Sequence, residues 1–239
     1  TNAGDVAAFR RAWDAGYADI DWLAAAHDRA AIERAALAGY RALYRRIAAG
    51  TTAVEVLERL GDFQVLCALK RGPWGVEGLN ARIATRLWRE GFIDDHQGWY
   101  AGRPVMVTRN DPQLGLYNGD IGIVLPDPEA QQRLRVFFAT ADGARAVLPS
   151  RLEACETVFA MTVHKSQGSE FDHVLFVLPE HATPILTREL VYSGITRAKR
   201  RLTLAGGDAR VMDSALHRRV VRDSGFADWV AALEEEETS

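Results

Sequence analysis

Four short apolar runs, Phe63 to Leu69, Val158 to Val163, Val174 to Leu178 and Leu202 to Ala205, constrain this chain more than any other feature. Each is compact and nearly continuous, the pattern of a strand buried on both faces. Lys70-Arg71-Gly72-Pro73 breaks the first run, and Val76 to Arg89 follows with Leu79, Ile83 and Leu87 at helical spacing. Strand, glycine turn and helix make one half of a parallel α/β unit. A second helix is expected over Glu189 to Arg200, leading at once into the run at Leu202. The fold class is therefore α/β with a parallel sheet. Polar, glycine-punctuated residues at the ends of such strands mark the edge where open α/β sheets place ligands.

A length of 239 residues allows one large domain or two small ones. A hydrophobic content of 48% and a charged content of 26% are ordinary for a soluble globular protein. No apolar run approaches the roughly 18 to 20 residues that span a bilayer, so no membrane partner is expected. Thr1 to Asp19 lacks the basic-then-apolar layout of a signal peptide. Cys67 and Cys155 lie far apart in apolar company and read as buried free thiols, which fits a cytoplasmic setting. Two distant cysteines and six scattered histidines show no metal-ligand spacing. The net charge of −3 argues against a protein coating itself in DNA. The arginine-rich segment from Arg188 to Arg222 is nonetheless suited either to phosphates or to a solvated helical face. The chain begins at Thr1 without a methionine, so a piece of a longer protein is expected.

Residues 1–60 are rich in alanine and arginine at helical spacing and read as a helical lead-in. Within them Ala31 to Ala49 is a helix, and Thr52 with Glu55 forms a capping box for the next. From Tyr100 to Arg151 the texture changes to short runs: Pro104 to Thr108, Ile121 to Leu125, Leu134 to Phe138 and Ala144 to Leu148. Turn signals separate them, among them Asn110-Asp111-Pro112, Asn118-Gly119-Asp120 and Asp142-Gly143, as in a small antiparallel barrel. Val211 to Val221 and Phe226 to Leu233 read as closing helices.

The densest polar strings are TVHKSQGSEFD (Thr162 to Asp172) and ELVYSGITRAKRRL (Glu189 to Leu202). They resemble the fifth and sixth motifs of superfamily-one helicases, with wording similar to the RecD type, the alpha subunit of exodeoxyribonuclease V. GPWGVEGLN (Gly72 to Asn80) and GRPVMVTRND…LGLYNGDIGIV (Gly102 to Val124) are also similar to RecD-type sequence. The resemblance runs from about Phe63 to about Ala205 in four blocks of matching order. It implies a second RecA-like motor domain built from residues 61–100 and 151–239. An SH3-like barrel would be inserted over residues 101–150.

The resemblance also assigns residues. Thr162, His164, Lys165 and Ser166 inherit positions along a single-stranded DNA path, and short polar side chains with backbone amides suit such phosphates. Asn110 and Asn118 face DNA by the same resemblance; taken alone they are turn residues. Gln167, Gly168 and Glu170 match the part of the motif that turns towards the nucleotide. Arg71, or Lys70 beside it, is the candidate for a second basic group on that nucleotide. Leu190, Gly194 and Arg197 fall on one stripe of the expected helix, with Arg197 the catalytic arginine finger reaching a γ-phosphate. Lys199, Arg200 and Arg201 would point elsewhere.

A phosphate cradle of the form G-x-x-x-x-G-K-[ST] is absent: the three lysines are Lys70, Lys165 and Lys199, and none follows a glycine. ATP with Mg²⁺ would then be held mainly by an upstream motor domain of the same protein. The function expected is half of a 5′→3′ ATP-dependent DNA helicase acting in double-strand-break repair and recombination, with RecB and RecC as partners. The alternative is a non-catalytic DNA- or subunit-binding module that keeps the helicase fold, and a nuclease ranks third.

Overall fold

The computed structural model describes residues 5–23 and 29–219, so the expected helix from Phe226 to Leu233 lies outside the described residues. The elements in chain order are α1 (Val6–Asp14), β1 (Ile20–Leu23), α2 (Arg29–Ala48), α3 (Ala53–Glu58), β2 (Phe63–Cys67) and α4 (Val76–Arg89). There follow β3 (Pro104–Val107), β4 (Ile121–Asp127), β5 (Arg133–Thr140), β6 (Gly143–Val147), β7 (Cys155–Thr157) and β8 (Ala160–Thr162). The chain closes with β9 (Phe171–Val177), α5 (Arg188–Ile195), β10 (Ala198–Ala205) and α6 (Ala209–His217).

Two five-stranded sheets result. One is parallel throughout, in the order β1-β10-β9-β2-β8. Its strands alternate between two cores, as a period of two requires. Leu175 and Val177 of β9 join Phe63, Val65 and Cys67 of β2 under α2, α3 and α4. Val174 and Phe176 face the other way, with Leu202 and Leu204, under α5 and α6. Burial on both sides explains why these strands read as nearly continuous apolar runs. The other sheet is antiparallel, in the order β6-β5-β4-β3-β7, around a small core of Val105, Val107, Val124, Val136 and Phe138. Its outer face is covered as well: Ile123, Leu125 and Phe137 join the core beneath α2 and α3.

Three expectations change. The lead-in is not wholly helical, because β1 pairs in parallel with β10 and forms the sheet's edge. Four half-buried residues between alanine-rich helices carry too little periodicity to show a strand in sequence. The strand expected over Val158 to Val163 is shorter, Ala160–Thr162, and a separate strand precedes it. Cys155–Thr157 completes the antiparallel sheet against β3, and Ala160–Thr162 opens the return to the parallel one. The barrel sheet thus extends past residue 150. The third change concerns α5, which ends at Ile195, so that β10 already begins at Ala198.

The capping box at Thr52 and Glu55 is present in full. Both cysteines are free, Cys67 buried and Cys155 half-buried, and burial pushes both thiols up from their ordinary values.

His173 of β9 bears on acid stability. Its Nε2 lies 2.9 Å from Thr203 Oγ1 and its ring meets Phe63 edge-on. Burial, reinforced by nearby Arg201, holds its pKa below the usual histidine value. The unfolded chain therefore takes up this proton more readily than the folded one. Stability is full above about pH 6.5 and falls as pH drops below it. Urea midpoints measured down a pH series should show this loss, and His173→Gln should flatten it. An unchanged slope in the variant would remove His173 as its source.

Candidate functional site

The polar motif residues lie at two ends of the parallel sheet. At the carboxyl end, β8 finishes at Thr162 beside Cys67 of β2. Val163 N–H donates to the Cys67 carbonyl at 3.1 Å, and a series of turns follows. Lys165 N–H donates to the Thr162 carbonyl at 3.0 Å and lies 3.3 Å from its Oγ1. His164 and Lys165 are exposed there, and Thr162 is half-buried. The Lys165 ammonium pairs with Glu156 of β7 at 2.6 Å.

Ser166 departs from its expected role. It is fully buried, and its hydroxyl donates to the Val163 carbonyl at 2.8 Å. Its side chain holds the turn in shape and presents nothing to a ligand.

At the amino end, Ser169 and Glu170 lead into β9, and Arg197 leads into β10. Phe171 N–H donates to the Arg197 carbonyl at 2.8 Å. The Arg197 side chain returns the contact: Nη1 donates to the Ser169 carbonyl at 3.1 Å. Nε donates to the Ser193 carbonyl at 3.1 Å and Nη2 to Thr196 Oγ1 at 3.3 Å. Five N–H donors stand on a guanidinium, so this grip orients the fork without using it up. Among the described residues no carboxylate pairs with it.

Arg197 is not on the helix. It follows the α5 cap at Thr196, and Lys199 to Arg201 are strand residues. The register between β10 and β9 slips between Ala198 and Arg201, an irregularity of the kind common beside functional sites. Gly194 serves packing, since a Cβ there would stand 2.7 Å from the Phe176 ring. The glycine lets α5 lie directly on β9. Gln167, Gly168 and Glu170 are exposed, and Gly168 has a φ of +86° with open space beside it.

The two ends are well separated. β9 has seven residues, so at ~3.3 Å per residue they lie roughly 20 Å apart. Arg71 sits at the carboxyl end, after β2, with an exposed side chain 3.9 Å from Glu77. The structure therefore does not bring Arg71 to Arg197, contrary to the expectation that both face one nucleotide. Asn110 and Asn118 do meet, the Asn110 Oδ1 accepting from Asn118 N–H at 2.8 Å. That bond closes their loop, as the turn reading requires.

Sequence reasoning passed over the residues that fix this arrangement. Asn80 of α4 is buried against β8, donating from Nδ2 to the Ala160 carbonyl and accepting from Ala160 N–H, each at 2.9 Å. Gln64 of β2 is buried too, and its Nε2 donates to the carbonyls of Val158 and Phe159 at 3.3 and 3.0 Å. The Tyr40 hydroxyl donates to the same Phe159 carbonyl. A polar residue on an otherwise apolar stripe was the available signal at Asn80.

The structure joins a parallel sheet, with an arginine and a carboxylate at one end and a polar turn at the other, to a small antiparallel sheet, the layout expected of a helicase motor domain with a barrel insert. Known families agree in both halves. Residues 157–205 match the UvrD-like helicase C-terminal domain, and residues 79–138 match the ATP-dependent RecD-like DNA helicase SH3 domain. The RecBCD enzyme subunit RecD of Mycobacterium tuberculosis is 44% identical over 170 residues, covering 71% of this chain and 29% of the relative. That of Haemophilus influenzae is 42% identical over 170 residues, covering 70% and 25%. The ATP-dependent RecD2 DNA helicase of Deinococcus radiodurans is 34% identical over 175 residues, covering 72% and 24%. The chain carries the C-terminal helicase region of the RecD type. It spans less than a third of the length of these relatives.

Proposed function

We propose that this chain forms one half of an ATP-driven, 5′→3′ single-stranded DNA motor of the RecD type. The parent protein would work beside RecB and RecC in the cytoplasm on double-strand-break repair and recombination. The amino end of the parallel sheet forms one wall of the nucleotide site, with Arg197 as the finger and Glu170 facing the ribose. The carboxyl end, with Thr162, His164 and Lys165, forms part of the strand track.

Arg197 is the observation that carries this reading. An arginine held on two backbone carbonyls and a hydroxyl, with no carboxylate to neutralise it among the described residues, is set to meet an anion. An oriented guanidinium stabilises charge that develops on a transferring phosphoryl group and needs little rearrangement to do so. The residues present suit one side of ATP only. A glycine–lysine phosphate loop has no counterpart in this sequence, so the upstream motor domain would supply the cradle and the Mg²⁺ site. The magnesium, when bound, neutralises phosphate charge. This chain's own residues orient the γ-phosphate and grip the strand.

Two measurements test the reading. The isolated chain should hydrolyse no ATP above background, with or without a single strand. The intact parent should show strand-stimulated turnover that depends on Arg197, followed in parallel with strand affinity at two salt concentrations. Turnover by the isolated chain would overturn the half-motor reading. Turnover by the parent that ignores Arg197 would favour a non-catalytic binding module.

A further inference from the structure

The ion pair between Lys165 and Glu156 bridges the two sheets. Glu156 belongs to β7, opposite Met106 in the antiparallel sheet, and Lys165 to the turn after β8. Their side chains are 38% and 32% exposed, so the pair is within reach of solvent and of a ligand. The backbone between them is firmly held. Arg103 Nε donates to Thr157 Oγ1 at 3.0 Å, Gln64 holds the carbonyls of Val158 and Phe159, and Asn80 holds both polar groups of Ala160. The strand that carries the carboxylate is thus held within reach of the lysine.

A carboxylate on a surface that receives phosphates repels its ligand. Set against the lysine, it has a definite role. It neutralises the ammonium while no strand is present, and an arriving phosphate must displace it.

We infer that Glu156 is a built-in competitor for Lys165, so that strand binding exchanges a carboxylate for a backbone phosphate and frees β7 from the turn. The inference rests on the reading of the Thr162 to Lys165 turn as strand track, and it adds a regulator that this reading does not contain. Occupancy of the track is passed to the barrel as the loss of one ion pair. The same exchange keeps affinity below what the cations alone would give, which suits a motor that must release its strand every cycle.

The experiment uses the intact parent and a fluorescent oligothymidylate at low and moderate salt. Wild type, Glu156→Gln, Lys165→Ala and the double variant are compared, with melting temperatures taken for each. Removing the competitor should tighten strand binding about two- to fivefold at low salt, the range open to a partly exposed pair. Lys165→Ala should weaken binding, and in its background Glu156→Gln should tighten it less than in wild type, since only the carboxylate's own repulsion of phosphate is then left to remove. Equal tightening in both backgrounds would mean general loss of an acidic charge and would overturn the exchange, as would an unchanged or weaker Glu156→Gln. A wild-type parent that binds no strand at all sinks the track reading itself, a distinct failure. Glu156→Thr, well suited to a strand, repeats the comparison if the glutamine lowers the melting temperature.

Discussion

Replacing Arg197 by alanine in the intact parent should lower strand-stimulated ATP turnover by about 10³- to 10⁵-fold, the range spanned by arginine fingers. Affinity for a single strand should stay near the wild-type value. The separation of the two effects follows from the sheet. Arg197 stands at the amino end, and the polar turn after β8 at the carboxyl end, roughly 20 Å away along β9. That exceeds the screening length of about 8 Å at physiological salt, so removing the charge should scarcely be felt at that turn.

Arg197→Lys should rescue little. A lysine has one ammonium and cannot meet Ser193, Ser169 and Thr196 in the geometry of the planar fork, so it loses both orientation and reach. The three contacts also raise a structural objection, since alanine forfeits them. The Arg197 carbonyl, however, still accepts from Phe171 N–H in any variant, so the junction of β9 and β10 keeps its backbone anchor. A melting temperature close to wild type alongside lost turnover identifies a finger. Lost turnover together with a large fall in melting temperature identifies a clamp.

Much of the fold was legible because its strands are buried on both faces. Phe63 to Leu69, Val174 to Leu178 and Leu202 to Ala205 could be placed without any partner information, and the turn residues of the barrel marked its strands in order. Legibility stopped where local pattern stopped. β1 is four half-buried residues long, and only its pairing with β10 makes it a strand. The run from Val158 to Val163 was read as strand throughout, yet its strand starts only at Ala160, because Val158 and Phe159 carry the chain from one sheet to the other, where Gln64 and Tyr40 capture the carbonyls. Those partners lie about a hundred residues away, and no window of sequence contains both sides.

The candidate site was legible as a set of residues but not as a shape. Ser166 and Lys165 are neighbours in one motif, yet one is sealed inside the turn and the other reaches across to Glu156. Arg71 and Arg197 were joined by analogy and are parted by the sheet. Arg197 was placed on a helix because Leu190, Gly194 and Arg197 keep helical spacing. The structure ends the helix two residues earlier and uses the spacing only as far as Gly194, which seats α5 on Phe176.

Asn80→Ala should cost about 2–6 kcal/mol of stability, because it leaves both the N–H and the carbonyl of Ala160 buried and unpaired at about 1–3 kcal/mol each. β8 is the edge of the parallel sheet, bonded to β2 on one side. On its open side the Asn80 amide acts as the missing strand, making the two bonds that a neighbour's backbone would make. The helix brings it there on the same stripe as Val76, Leu79, Ile83 and Leu87, so the amide cannot turn to water when β8 moves. Asn80→Leu separates packing from hydrogen bonding. It fills the space but satisfies neither group, so it should lose nearly as much as alanine; a leucine variant near wild type would show that volume alone holds this edge. Thr162 ends the strand that Asn80 secures, so both variants should also weaken single-strand binding, and by more than Arg197→Ala does. Chemical denaturation and strand affinity measured on the same preparations decide it. If stability falls while strand affinity holds, the turn after β8 keeps its shape without the edge and the strand track lies elsewhere.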